Sequence, residues 1–112
     1  MKVRKFNESV NDELNVGEPE IGDYVICADD IIISKFSDRS DINSFIKSNI
    51  GKCTAIKNDE TYPYIINYSD IPWDLRSFFN SNSTRVKRFE IAYWSKNKEK
   101  LEMILQTNKF NL

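Results

Sequence analysis

Hydrophobic residues recur along this chain with two different periods, and the switches between them divide it into elements. Gly22-Asp23 leading into Tyr24-Val25-Ile26-Cys27-Ala28 is a turn followed by β-branched and aromatic residues, which predicts a strand. After the polar break Asp29-Asp30, Ile31-Ile32-Ile33-Ser34-Lys35-Phe36 predicts a second strand in a hairpin with the first. The period then changes. Ser40 and Asp41 suit a helix start, Ile42, Phe45 and Ile46 repeat at i, i+3, i+4, and Asn49-Ile50-Gly51 ends the helix. Alternation resumes in residues 52–57 and, past the turn Asn58-Asp59-Glu60-Thr61, in residues 62–68. Tyr62, Tyr64, Ile66 and Tyr68 then share a face, with Pro63 confined to the strand's start or an edge. These two strands should form an antiparallel hairpin.

Residues 69–79 predict a short helical turn that plugs one end of the sheet, because Pro72 suits a first turn and Leu75, Phe78 and Phe79 have helical spacing. Residues 85–94 read as the last long strand, in which Phe89, Ile91 and Tyr93 alternate with Glu90, Ala92 and Trp94. Val86 falls out of step, so a bulge near Lys87 is expected. Ser95 or Asn97 can cap a final helix carrying Leu101, Ile104 and Leu105 on one stripe, with Met103 off that stripe and Phe110 as an anchor in the tail. Residues 1–20 are polar and irregular up to Gly17-Glu18-Pro19-Glu20. They predict a flexible or loosely docked arm, or an edge strand around residues 3–6, ahead of one domain over residues 21–112.

Composition fits one core. With 112 residues the chain should bury ~60–70% of its unfolded surface. Lys and Arg number 16 against 17 acidic residues, so no overall field steers the chain to nucleic acid or an anionic membrane. The balance is uneven, since residues 84–112 carry seven basic and three acidic side chains. No stretch approaches the ~20 apolar residues that span a bilayer. The opening residues lack the apolar run of a secretory signal and the glycine needed for myristoylation, which leaves a cytoplasmic expectation without membrane attachment. Cys27 and Cys53 lie in strand-like stretches and are expected to be reduced and buried, a disulfide being the alternative.

The candidate chemistry is sparse. No histidine is present, which removes the common triads, and two thiols alone cannot fill the usual zinc set. Asp29-Asp30, Asp59-Glu60 and Asp70 with Asp74 could form carboxylate pairs, but turn positions explain such acids through capping and solubility. No glycine-rich phosphate loop or calcium loop exists, so no cofactor or metal is expected. The combination that points to a surface is aromatic residues near basic ones: Tyr64, Tyr68, Trp73 and Trp94 with Arg85, Lys87 and Arg88. These residues are either core and solvated rim or a binding face.

The order Gly22-Asp23-Tyr24-Val25-Ile26-Cys27, then residues 49–56 around Gly51-Lys52-Cys53, then Tyr64-Ile65-Ile66-Asn67-Tyr68 resembles small barrels of the SH3-like, KOW and Tudor type. The resemblance implies an α+β protein: a small, partly open antiparallel SH3-like β-barrel with a short inserted helix and a C-terminal helix. The first eight residues and residues 93–101 also resemble small accessory proteins of tailed bacteriophages and large viruses, which implies the host cytoplasm. The expected function is a non-catalytic binding module, not an enzyme, acting on a protein partner or copies of itself. Single-stranded nucleic-acid binding is the alternative.

Overall fold

The structure, a computed structural model, describes residues 14–28 and 40–110. Five strands, β1 (Tyr24–Cys27), β2 (Gly51–Ile56), β3 (Tyr64–Asn67), β4 (Ser83–Val86) and β5 (Ile91–Ser95), build one sheet in the order β4-β3-β2-β1-β5. Every neighbouring pair is antiparallel. With helices α1 (Ser40–Ser48) and α2 (Lys98–Phe110) the protein is a small α+β fold around an open sheet whose edge strands are β4 and β5.

Alternation along β1 decides what covers each face. Val25 and Cys27 belong to the main core with Ile42 and Ile46 of α1, which packs on β1. Ile26 points the other way, toward the face where α2 meets β1 and β5, and it and Leu101 are buried outside the main core. Helix α1 forms where its apolar spacing placed it. The carboxylate of Asp41 accepts the Ile42 N–H at 2.8 Å, and Ser48 and Asn49 donate to the carbonyls of Ser44 and Phe45 at 2.7 and 2.8 Å, satisfying groups that a helix end leaves open. Helix α2 starts as its cap predicted, with Asn97 Oδ1 accepting the Glu99 N–H at 3.0 Å.

The plug is a 3-10 turn over Trp73–Phe78. It buries Leu75 and leads into Phe79, whose ring stands 6.1 Å from Tyr68 and 6.0 Å from Phe45, with Phe45 and Tyr68 5.6 Å apart, all edge-to-face. Such pairs contribute ~0.5–1.5 kcal/mol each beyond their burial. Tyr68 reaches the thiol of Cys27 at 3.8 Å, and both cysteines are free and buried.

The expected long strand over residues 85–94 is corrected. β4 ends at Val86, β5 begins at Ile91, and a 3-10 turn over Arg88–Glu90 links the two edges of the sheet, in place of a bulge at Lys87. Glu90 is the cause. Its carboxylate accepts the Lys87 N–H at 2.7 Å, its own N–H donates to the Lys87 carbonyl at 3.0 Å, and its carbonyl takes the Ala28 N–H at 2.7 Å, all with Glu90 fully buried. Phe89, expected to share a face with buried Ile91, is instead exposed. The expected strand at residues 31–36, the edge strand at residues 3–6 and the Asp29-Asp30 pair lie outside the described residues, as does the side chain of Phe110, the expected anchor.

Gly51 stands opposite Val25, and a Cβ there would lie 2.9 Å from the Tyr68 ring and nearer still to Ile66. Both neighbours are fully buried, so neither can give way cheaply. Gly51→Ala should therefore destabilise by ~1–3 kcal/mol, the usual effect of overpacking, read as a lower urea midpoint with an unchanged slope. An unchanged midpoint would contradict this packing.

Candidate functional site

A strand at a sheet edge leaves outward N–H and C=O groups that must be covered. At β4 both ends are turned back locally. Asn80 and Ser83 exchange backbone bonds of 2.8 and 3.0 Å across Ser81 and Asn82, whose φ of 53° and 65° are those of a tight hairpin turn, and the Lys87–Glu90 turn closes the other end. At β5 the cover comes from the far end of the chain. Asn15 donates its N–H to the Trp94 carbonyl at 2.8 Å, accepts the Trp94 N–H on Oδ1 at 2.8 Å, and donates Nδ2 to the Ala92 carbonyl at 3.1 Å. One residue, held at φ 56°, thus substitutes for a stretch of strand. At a net ~0.5–1.5 kcal/mol per hydrogen bond, the three are comparable to the docking of a short peptide.

The segment that follows Asn15 runs over Trp94. The indole N–H donates to the Val16 carbonyl at 3.2 Å, and the Arg88 guanidinium lies 4.4 Å from the ring centroid. Arg88 also meets the Glu18 carboxylate at 2.5 Å, which holds that carboxyl below its ordinary value. Lys96 reaches Asp23 at 2.5 Å and Glu20 at 3.1 Å, and these bonds, Asp23 first, hold its ammonium above its ordinary value. Asp23 is buried and accepts the Glu20 N–H at 2.8 Å on its other oxygen. Beside this strap remains a cleft of about 650 Å³ lined by Val16, Gly17, Tyr24, Trp94, Ser95, Asn97 and Lys98 together with the Glu20, Asp23 and Lys96 group. Its size falls within the range of ligand sites.

The residues singled out from sequence divide. Arg88 and Trp94 are stacked at the β5 edge. Tyr64 is half-buried, with burial raising its hydroxyl and nearby Arg88 opposing the shift. Lys87 lies over Tyr62 at 5.5 Å and Phe89 at 5.8 Å, and Arg85 donates to the Tyr62 carbonyl at 3.1 Å and stands 3.8 Å from Glu60. Two are placed apart from these contacts. Tyr68 is in the core at 1% exposure, so stacking on it would require the core to open, whereas Trp73 is 83% exposed on the 3-10 plug. Sequence reasoning did not identify Asn15, Asp23 or Lys96, whose bonds join residues more than 70 positions apart.

Nucleophilic chemistry finds little support in this arrangement. Burial pushes the Cys27 thiol up to about 12 and raises that of Cys53, so neither is a ready thiolate. Asp59, Glu60, Asp70 and Asp74 are exposed. Among the described residues no cluster of His, Cys, Asp or Glu could hold a metal ion, and no helix is long and apolar enough to cross a membrane. No family model, curated protein or solved structure matches the chain.

The strap should loosen in acid. Glu18 titrates below its ordinary value of 4.5, so its tie to Arg88 is complete above that value and is lost as pH falls through the lowered one. Lys96 has the opposite sign: its ties persist below 10.5 and are lost only as pH rises past its raised value. In a Trp73→Phe chain, Trp94 emission should therefore move to longer wavelength as pH falls below 4.5, and Glu18→Gln should show the shifted emission already at neutral pH. A Glu18→Gln chain that matches the parent at neutral pH would contradict the tie.

Proposed function

We propose that this chain is a non-catalytic binding module of the SH3-like type that engages a protein partner at the β5 edge, through Trp94, Arg88 and the adjoining cleft. The observation that carries the reading is the contrast between the two edges. β4 is bounded at both ends by its own turns, whereas β5 is covered by a segment distant in sequence, held by the three hydrogen bonds of Asn15, the bond from the Trp94 indole to Val16, and the ion pairs of Glu18 and Glu20. Surface ion pairs are weak and screened by salt, so the cover can leave without disturbing the sheet.

The SH3-like reading draws support from curvature. The link from Val86 to Ile91 reaches at most ~18 Å when extended, and less with a 3-10 turn in it, while the edges of a flat sheet of five strands stand ~19 Å apart. A sheet whose edges are joined this way is curled toward a barrel. An accessory role of the bacteriophage type is the setting that fits such a module.

Nucleic-acid binding is the second reading, favoured by one observation: Lys87 is over Tyr62 and over Phe89, which is 64% exposed. Arg85 counts against it, since it already faces the Glu60 carboxylate, which is not part of the strap. Selection of a random peptide library on the full chain, with amide shifts to map the winners, separates the two. The binding reading predicts perturbation at Trp94, Ser95 and Lys98. Selection of no peptide, or shifts confined to Tyr62, Lys87 and Phe89 on adding oligothymidylate at low salt, would overturn it.

A further inference from the structure

We infer that the β5 edge receives an acidic, extended peptide segment of the partner, and that residues 14–20 of this chain occupy the site as its built-in competitor. The inference rests on the binding reading above and adds the partner's chemistry.

Three features of the strap argue for it. The first is its form: Asn15 meets β5 as an added strand would, using both its backbone and its amide side chain on the groups of Trp94 and Ala92. The second is charge. Residues 11–20 contain Asp12, Glu13, Glu18 and Glu20 and no Lys or Arg, and the surface under the strap presents Arg88, Lys96 in part shared with Asp23, and Lys98, lying 6.0 Å over Tyr24 at the cleft. An acidic ligand would meet the same cations. The third is incomplete filling, because a cleft of about 650 Å³ remains beside the strap, and Val16, which lines it, is 60% exposed. A partner segment with a larger apolar residue where the strap carries Val16 or Gly17 would gain contact there that the chain's own segment does not make.

The strap also has the construction of a removable part. Asn15 and Gly17 both hold positive φ, of 56° and 61°, so the peptide is bent tightly between its hydrogen-bonded and ion-paired portions. Release would let Asn15 return to ordinary backbone geometry. Its displacement uncovers the outward groups of β5 without touching the ladder that joins β5 to β1.

The test uses a fluorescein-labelled peptide with the sequence of residues 11–20 and the full-length chain. An Asn15→Ala, Glu18→Gln, Glu20→Gln variant should bind the peptide at least tenfold more tightly than the parent chain does. Adding Arg88→Ala, or reversing Glu18 and Glu20 of the peptide to lysine, should abolish that binding, and raised salt should weaken it. Equal binding to parent and variant, or no binding by a variant whose circular dichroism is unchanged, would overturn the proposal. If the triple variant unfolds, Glu18→Gln alone should gain at least threefold, and no gain overturns it. Library-selected peptides that dock at Trp94 while this acidic peptide does not would remove the acidic competitor and leave the binding module standing.

Discussion

An edge strand must find partners for its outward backbone groups, and in this protein a single asparagine meets three of those of β5. Asn15 bonds to the N–H and C=O of Trp94 and to the carbonyl of Ala92, and the rest of the strap follows from where that places the chain. Val16 is brought to the Trp94 indole, Glu18 to Arg88 and Glu20 to Lys96. The cleft exists because these contacts hold the strap along one side of α2's start without filling the space beside it.

The interior is of a different kind. Tyr68, Phe45 and Phe79 interlock edge-to-face, and Gly51 leaves room for Tyr68 where any side chain would collide. Glu90 is buried but spends its hydrogen bonds on closing the turn between the edge strands. These features are local or densely packed, and their loss would disturb the fold as a whole. The strap differs because, apart from buried Pro19, it is held by polar ties, most of them to residues more than 70 positions away. That contrast separates the scaffold from the site.

Elements governed by short-range pattern were legible in the sequence. The spacing of Ile42, Phe45 and Ile46, the Asn97 cap, the alternation through Tyr64, Ile66 and Tyr68, and the turn after Pro72 each correspond to an observed element. The stretch from Arg85 to Trp94 misled because its alternation continues across a turn. Glu90 occupies a position that reads as solvent-facing, and its bonds to Lys87 and Ala28 show how it is accommodated in the interior. The aromatic and basic residues were legible as a set but not in their roles. Type alone does not distinguish Tyr68 in the core from Trp73 at the surface, since both are flanked by similar polar and apolar residues. Asn15 carries no sequence signal at all, as a polar residue in a polar arm whose partner lies at the other end of the chain.

The central claim is that the cover of β5 is replaceable while the sheet beneath it is not, and amide hydrogen exchange at Trp94 tests it most directly. Tyr93, Trp94 and Ser95 stand opposite Ile26, Val25 and Tyr24 in the β1 ladder, and in the alternation of an antiparallel pair the Trp94 N–H turns outward to Asn15. The account predicts that the Trp94 amide exchanges through a local opening, well ahead of the Tyr93 and Ser95 amides, and that Asn15→Ala accelerates it alone. Exchange of all three at one rate set by global unfolding would contradict it, because the strap would then be part of the scaffold.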